Sequence, residues 1–244
     1  MTMTGVWVMR HGARADESRE IRLKIMRGEK CIVDGWDSHG PRWWDPPLTK
    51  AGKKVARLEA ARLKELNFEK VYTSPLLRAL QTTEQVASIL NIPVEIIPGL
   101  SQCAAIVQKV GISNFLKPNK RNQQEALYGA EEAKLLCPDM EVLGTNGVSE
   151  TFEAACCRLA KENKGKDILV VAHREGIWKL HARAGHRLMK KPPYCSITGY
   201  LFEFKNGKMN ASKERTNPKQ SGNPEAFPGL TIKLVADTST AKSQ

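Results

Sequence analysis

Two histidines and three arginines carry the side chains that phosphoryl transfer needs. Arg10 and His11 are adjacent, Arg14 follows closely, and Arg78 and His173 come from distant parts of the chain. A guanidinium donates two parallel hydrogen bonds to a phosphate, and an imidazole can attack phosphorus. We predict that His11 forms a phosphohistidine, that the three arginines hold the phosphoryl group, and that His173 donates to one of its oxygens.

Other chemistries that use these residue types are disfavoured by their surroundings. Three arginines would repel a divalent cation, so neither a metal nor another cofactor is predicted. The sequence has no GxSxG nucleophile elbow, no GxxxxGK[ST] loop and no cysteine in a phosphate-loop setting. Each histidine alone is explained better by an ordinary hydrogen-bonded residue at a strand end, and only the set of five favours an anion site.

Buried strands are predicted directly before both histidines. Val6–Met9 is an apolar run that ends at Arg10, and Ile168–Ala172 is another that ends at His173. The carboxyl ends of parallel strands meet at one edge of a sheet, where such folds bind their ligands. Both imidazoles are therefore expected at that edge.

Arg78 is predicted to join them from the start of a helix. Ser74 and Pro75 are typical of a helix N-cap and first position, after a strand at Val71–Tyr72. A cation in the first turn opposes the helix dipole. We therefore expect an anion beside Arg78.

Alternating strands and helices predict the α/β class, with a three-layer α/β/α arrangement around a mostly parallel sheet. One domain is predicted over residues 1–244. Further strands are expected at Val94–Ile97 and Tyr200–Phe204, and helices at Thr49–Asn67 and after Ser149 and His173. The buried stripe of the first helix is predicted to be Ala51, Val55, Leu58 and Ala61.

Three segments lack this regular pattern. Residues of about 100–147 have weak periodicity and are predicted to form an insertion over the active site. Asn206 and Gly207 predict a two-residue hairpin turn, and the tail beyond them is expected to be loop-like and frayed over about 237–244. The segment Cys31–Pro47 is predicted to be an ordered loop. Its tryptophans form either a cluster packed on the domain or a rim that grips an aromatic substrate group: Trp36, Trp43 and Trp44.

The charge and composition of the chain limit the kinds of binding partner and compartment that are expected. The 38 Lys and Arg against 26 Asp and Glu give a net charge of +12. A solvated basic surface explains this charge, and attraction of acidic or phosphorylated molecules is the alternative. No basic block is interleaved with aromatic residues, so nucleic acid is not expected. The six cysteines are scattered, and no apolar stretch resembles a signal peptide or membrane span, which predicts a reduced, cytoplasmic protein away from membranes. A homodimer is left open.

Several motifs make the sequence resemble the histidine phosphatase superfamily, with its phosphoglycerate-mutase-like fold. These are VMRHGAR, PLTKAGKKVA, YTSPLLRALQTTE and VVAHREG, in the family's order. The IPGL and KKPPYCSITGYLFE segments resemble the subgroup of suppressor-of-T-cell-receptor-signalling and ecdysteroid-phosphate phosphatases. The resemblance implies that His11 is the nucleophile and that Arg10, Arg14, Arg78 and His173 complete the phosphate pocket.

The sequence departs from that subgroup at one position. The relatives carry, two residues after PGL, a glutamate that protonates the leaving group, whereas this chain has Gln102. An amide cannot act as a general acid, which contributes about 10²–10⁴-fold to such reactions. Either another carboxyl replaces it, with Glu125, Glu131 and Glu150 as candidates, or activity is confined to good leaving groups.

The first interpretation is a phosphomonoesterase that is weak or selective for aryl phosphates such as phosphotyrosine. Its substrate would be a phosphorylated small molecule or a phosphoprotein. The second is a catalytically impaired module that only binds phosphate or a partner. A phosphoglycerate mutase ranks third, because it also relies on the missing acid.

Overall fold

A seven-stranded sheet organises the part of the chain that this computed structural model describes, namely residues 2–40, 42–101, 128–146, 150–186, 190–204 and 230–237. The strands are β1 (Thr2–Arg10), β2 (Ile32–Val33), β3 (Trp36–Asp37), β4 (Phe68–Thr73), β5 (Val94–Ile96), β6 (Val142–Thr145), β7 (Asp167–Ala172), β8 (Ile197–Phe204) and β9 (Leu230–Asp237). The helices are α1 (Arg19–Met26), α2 (Lys50–Arg62), α3 (Leu77–Leu90), α4 (Ala130–Leu136), α5 (Phe152–Glu162) and α6 (Arg174–Arg183).

The strand order of the main sheet is β6-β5-β4-β7-β1-β8-β9, and β2 and β3 pair separately. The strands from β6 to β1 pair in parallel, whereas β8 is antiparallel to β1 and β9 to β8. In the register of β1 with β7, Arg10 lies opposite Ala172. The next residues, His11 and His173, therefore leave the sheet side by side.

Alternation along the strands builds one apolar core on each face of the sheet. Met9 and Val171 belong to the core covered by α2, α3 and α4, while Val8 and Val170 belong to the core covered by α5 and α6. Helices thus cover both faces of a sheet whose pairings are mostly parallel. The predicted three-layer α/β/α class is confirmed.

Helix α2 is capped as predicted but buries a different stripe. The Thr49 hydroxyl accepts a hydrogen bond from the Gly52 N–H at 2.8 Å. Gly52 lies so close to the chain after β1 that a Cβ on it would be 2.5 Å from the Ala13 carbonyl oxygen. Because of this close approach, the smallest residues of α2 face the core. Gly52, Ala56 and Ala60 are buried. The predicted stripe of Ala51, Val55, Leu58 and Ala61 is wrong, since Val55 and Leu58 are 40% and 56% exposed.

Helix α3 begins later than predicted. Leu76, and not Ser74, is the N-cap, and its side chain provides no capping hydrogen bond. The carboxylate of Asp45 caps the helix instead, because both of its oxygens accept from the Leu77 N–H at 3.1 Å. Helix α5 is capped by Thr151, whose hydroxyl accepts from the Ala154 N–H at 3.2 Å, while Ser149 lies outside the described residues.

The segment predicted as an insertion is described only in part. Its described end forms α4 and β6, and β6 joins the main sheet beside β5. Residues 102–127 and 238–244 lie outside the described residues. The tail expectation is wrong for Leu230–Asp237, which is strand β9, with Leu230 paired to Phe204. The hairpin turn predicted at Asn206 and Gly207 lies outside the described residues.

Candidate active site

His11 and His173 face each other at the carboxyl ends of β1 and β7. Their ring centroids are 5.2 Å apart, and their side chains are almost completely buried. The backbone N–H of His11 donates to the Ala172 carbonyl at 3.0 Å, and this bond links the ends of β1 and β7. The convergence that the sequence predicted for the two imidazoles is present.

The hydrogen bonding of His11 fixes its tautomer. Its Nδ1 lies 2.8 Å from the Gly12 carbonyl oxygen, which can only accept, so Nδ1 carries the proton. The lone pair then belongs to Nε2. Burial, followed by the charge of Arg78, holds the pKa of His11 well below its ordinary value. A neutral imidazole with a free Nε2 is the form that can attack phosphorus.

His173 is held by a serine that the sequence analysis assigned to a helix cap. The Ser74 hydroxyl lies 2.8 Å from Nε2 of His173. Its other ring nitrogen, Nδ1, is buried and has no hydrogen-bond partner among the described residues. Burial and then Arg78 keep the pKa of His173 well below its ordinary value. A protonated Nδ1 would be available to donate to a bound anion.

Arg10 is clamped by the segment that precedes β8. Its NH1 donates to the Pro192 carbonyl, and its guanidinium carbon lies 3.8 Å from the centroid of the Tyr194 ring. The Tyr194 ring is also 5.6 Å from the His11 ring. Burial lowers the pKa of Arg10, and its Nε is buried without a partner in the described part of the chain. Tyr194 lies within the KKPPYCS motif, but the sequence analysis gave it no role.

Arg78 has the anionic neighbour that its place in a helix predicted. Its NH1 donates to Asp45 at 3.0 Å, and both side chains are buried, at 1% and 0% exposure. Burial raises the pKa of Asp45, while Arg78, the Leu77 N–H and Arg42 act in the opposite direction. The Nε of Arg78 is buried without a partner within the described ranges. The sequence did not identify Asp45, although a cation in the first turn of a helix indicated a neighbouring anion.

Arg14 is engaged by carboxylates in this structure. Its Nε and NH2 donate to the two oxygens of Asp16 at 2.9 and 2.6 Å, and Glu17 lies 3.6 Å from NH2. Burial acts to lower the pKa of Arg14, but the bond to Asp16 outweighs it and the pKa is raised. A phosphate that reaches Arg14 must therefore compete with Asp16 or share the guanidinium with it.

One pocket collects the predicted residues together with three that were not predicted. Glu17 is the last residue of the short turn Ala15–Glu17 after β1, and Arg174 and Glu175 begin α6. The full lining is Arg10, His11, Arg14, Glu17, Arg78, His173, Arg174 and Glu175. Two carboxyl groups thus face a pocket that is otherwise cationic.

Of the carboxyl groups proposed to replace the missing acid, Glu131 and Glu150 are described, and neither is among that lining. Glu131 is an exposed residue of α4 that pairs with Lys134 at 3.0 Å. Glu150 is bound by Arg158 at 2.7 Å. Gln102 and Glu125 lie outside the described residues. Neither Glu131 nor Glu150 is placed to protonate a leaving group in this pocket.

The tryptophans of the Cys31–Pro47 segment lie away from the lining. Trp36 is buried and donates from Nε1 to the Arg42 carbonyl at 3.1 Å, and Trp43 is 42% exposed. Among the described residues no cluster of three His, Cys, Asp or Glu could hold a metal ion. Within those same ranges, every helix is too short or too polar to span a bilayer.

A family model identifies the class of protein that this fold and pocket define. The model of the histidine phosphatase superfamily (branch 1) matches residues 36–210, which is well over half of the chain. The chain belongs to this superfamily, as its motifs predicted.

Individual relatives are more distant. The chain is 42% identical over 64 residues to the phosphohistidine phosphatase SixA of Escherichia coli (strain K12), a match covering 25% of this chain and 40% of the relative. The chain therefore spans two fifths of the length of this curated relative.

Two solved structures complete the comparison. The structure of mycobacterial hydrolase 2 is 13% identical, with a TM-score of 0.53, over 100% of this chain and 94% of that one. This similarity shows a shared fold. The ecdysone phosphate phosphatase EPPase of Bombix mori, in complex with tungstate, is 17% identical, with a TM-score of 0.44, over 88% of this chain and 98% of that one.

Proposed function

We propose that this protein is a phosphomonoesterase that works through a phosphohistidine intermediate on His11. The observation that carries the proposal is the meeting of two neutral, buried imidazoles with buried guanidinium groups in one pocket. Buried donors without partners are rare in folded proteins, because each lost hydrogen bond costs about 1–3 kcal/mol. Within the described lining of this pocket three occur, at Arg10 Nε, Arg78 Nε and His173 Nδ1, and phosphoryl oxygens would satisfy them.

The geometry supports a two-step reaction. In the first step Nε2 of His11 bonds to phosphorus, and the bond to the leaving oxygen breaks as that oxygen keeps the electron pair. Arg10, Arg78 and His173 hold the equatorial oxygens and offset their charge. In the second step water attacks phosphorus, the P–N bond breaks, and His11 recovers its lone pair. The proton that Gly12 holds on Nδ1 keeps the tautomer unchanged throughout.

The substrate range follows from the leaving group. Aryl phosphates, such as phosphotyrosine, are proposed as the preferred esters, because phenolates leave with less help from an acid than alkoxides do. Because the relative SixA is a phosphohistidine phosphatase, phosphohistidine is a second substrate to test. Either group can be part of a small molecule or a protein. The proposal includes a cytoplasmic location.

Trapping of the intermediate tests the proposal. Wild-type protein is mixed with a radiolabelled aryl phosphate and quenched in alkali, in which phosphohistidine survives. We expect label on His11 and a loss of kcat of at least about 10³-fold in His11→Asn. His39→Asn, which removes an exposed histidine, is the matched control and should keep full activity. An unlabelled wild-type protein that hydrolyses the ester would refute the phosphohistidine route.

A phosphate-binding module is the second candidate function, and two observations favour it. Gln102 stands where the related phosphatases carry their acid, and Asp16 already occupies the guanidinium of Arg14. Binding of orthovanadate or phosphate without turnover of any ester would select this alternative. Hydrolysis that depends on His11 would exclude it.

A further inference from the structure

We propose that Glu175 is the general acid that protonates the leaving group in the first step. This inference rests on the proposed phosphohistidine reaction. In-line attack by Nε2 of His11 puts the leaving oxygen on the opposite side of phosphorus. A donor for that oxygen must come from the lining of the pocket. Among the described carboxyl groups, Glu17 and Glu175 meet this condition.

Glu17 is fully committed to other partners. The Tyr194 hydroxyl donates to Oε2, and Nζ of Lys191 lies 3.8 Å from the same oxygen. NH2 of Arg14 lies 3.6 Å from Oε1. Burial acts to raise the pKa of Glu17, but Tyr194 and the cations outweigh burial, so the pKa lies below its ordinary value. Both carboxylate oxygens of Glu17 thus face a donor or a cation. Its place in the pocket fits a role in orienting Tyr194.

Glu175 has a more open arrangement. Its side chain is 12% exposed, and its Oε1 accepts from Nε of Arg174 at 2.8 Å. No hydrogen bond from the described residues reaches its Oε2. One oxygen is thus oriented by Arg174 while the other is available to carry and deliver a proton.

The chain also fixes Glu175 relative to the reacting groups. It is the second residue of α6, and the His173 that caps this helix lies 5.2 Å from His11, ring to ring. The backbone between His173 and Glu175 is held by the bond from the Gly176 N–H to the His173 carbonyl at 3.1 Å. A rigid turn therefore carries both a phosphate-facing imidazole and the carboxyl group.

With Glu175 as the acid, the donor and the acceptor of every proton in the two steps are accounted for. The Glu175 carboxylic acid gives its proton to the leaving oxygen as the P–O bond breaks, so the alcohol departs neutral. The resulting carboxylate accepts a proton from the water that attacks the phosphohistidine. Inorganic phosphate leaves, and Glu175 and His11 return to their starting states. No further reactant is required.

The test uses a series of phosphate esters with increasing leaving-group pKa, from 4-nitrophenyl phosphate to phosphoserine. For Glu175→Gln we expect kcat/KM to fall by about 10²–10³-fold on phosphoserine and by less than about 5-fold on 4-nitrophenyl phosphate. Glu175→Asp should restore part of the alkyl activity. Glu20→Gln, at an exposed position on α1, is the control without effect.

The outcomes separate the two proposals. A loss that is equal for all esters in Glu175→Gln, or a leaving-group dependence that appears in Glu17→Gln instead, overturns the role of Glu175 and leaves the phosphohistidine reaction standing. A wild-type protein that hydrolyses none of the esters overturns both. Orthovanadate affinity and thermal unfolding, measured for each variant, show whether the pocket is intact.

Discussion

Asp45 and Arg78 form a buried ion pair at 3.0 Å that joins the loop before α2 to the first turn of α3. The same carboxylate caps α3 through the Leu77 N–H. A single side chain thus starts the helix and offsets the charge of the guanidinium that the helix brings to the pocket. Arg78 can then present its remaining donors to an anion without being pulled out of position.

Loss of the Asp45 charge should harm both stability and binding. Asp45→Asn leaves Arg78 as a buried cation without its counterion, which typically costs about 3–5 kcal/mol. We expect a lower free energy of unfolding by urea denaturation and weaker orthovanadate binding. Asp37→Asn removes a partly exposed partner of Lys30 and should leave the free energy of unfolding almost unchanged. Equal stability of the two variants would contradict this account.

The two buried imidazoles should make stability depend on pH. The pKa values of His11 and His173 lie well below the ordinary value near 6.5, so the unfolded chain binds protons that the native state does not. The free energy of unfolding should fall between about pH 6.5 and 5.5, by up to about 1.4 kcal/mol per unit for each histidine. The double variant His11→Asn, His173→Asn should show a smaller slope. A wild-type stability that is flat between pH 7.5 and 5.5 would rule out this effect.

The Tyr194 ring, more than its hydroxyl, should hold Arg10. Burial raises the pKa of Tyr194 to about 12, so the phenol stays protonated and donates to Glu17. Tyr194→Phe keeps the ring over Arg10 and should change orthovanadate affinity by less than about 3-fold. Tyr194→Leu loses a cation–π contact of about 1–2 kcal/mol and should weaken binding about 10-fold. The same affinity in both variants would assign the ring no role.

Close packing behind His173 leaves no room for a methyl group at Gly176. A Cβ there would lie 2.4 Å from the Phe152 ring. Gly176→Ala should cost about 1–3 kcal/mol in unfolding free energy and displace the turn that carries His173 and Glu175. Gly144, whose Cβ would meet nothing within 4 Å, provides the control Gly144→Ala. If Gly176→Ala has the melting temperature of the wild type, the Phe152 ring moves aside at no cost and the prediction is wrong.

Restoring the family's acid should matter most where Glu175 is absent. Gln102→Glu is expected to raise kcat/KM on phosphoserine in the wild-type background, and to raise it more in the Glu175→Gln background, because the two carboxyl groups would serve the same step. Steady-state kinetics of the four proteins measures this coupling. An increase that is equal in both backgrounds would mean that the two residues act independently.

The sequence predicted those parts of the molecule that local patterns control. Short apolar runs that end in Arg10–His11 and His173 located β1 and β7, and their parallel pairing then required the imidazoles to meet. The prediction of an anion beside Arg78 was also sound. Its identity as Asp45 depends on a loop conformation that has no periodic signal.

Predictions that depended on tertiary contacts were less successful. The buried face of α2 is decided by the approach of Gly52 to Ala13, and the hydrophobicity of Val55 and Leu58 indicated the opposite face. The pairing of Leu230–Asp237 with β8 depends on a tertiary contact, whereas the composition of the tail indicated a loop. Glu175 was overlooked as an acid because only the three-dimensional pocket distinguishes it from Glu131 and Glu150.

The reversed direction of β8 has a consequence for how this protein could diversify. Ile197 lies opposite Met9, so the segment Pro192–Ser196 enters the site from the start of a strand, whereas the histidines leave from the ends of strands. The residues that hold the Arg10 guanidinium and those that position the two imidazoles are thus encoded in separate stretches. Substitutions that keep Tyr194 and the backbone at Pro192 are therefore the ones through which this segment can vary without disturbing Arg10.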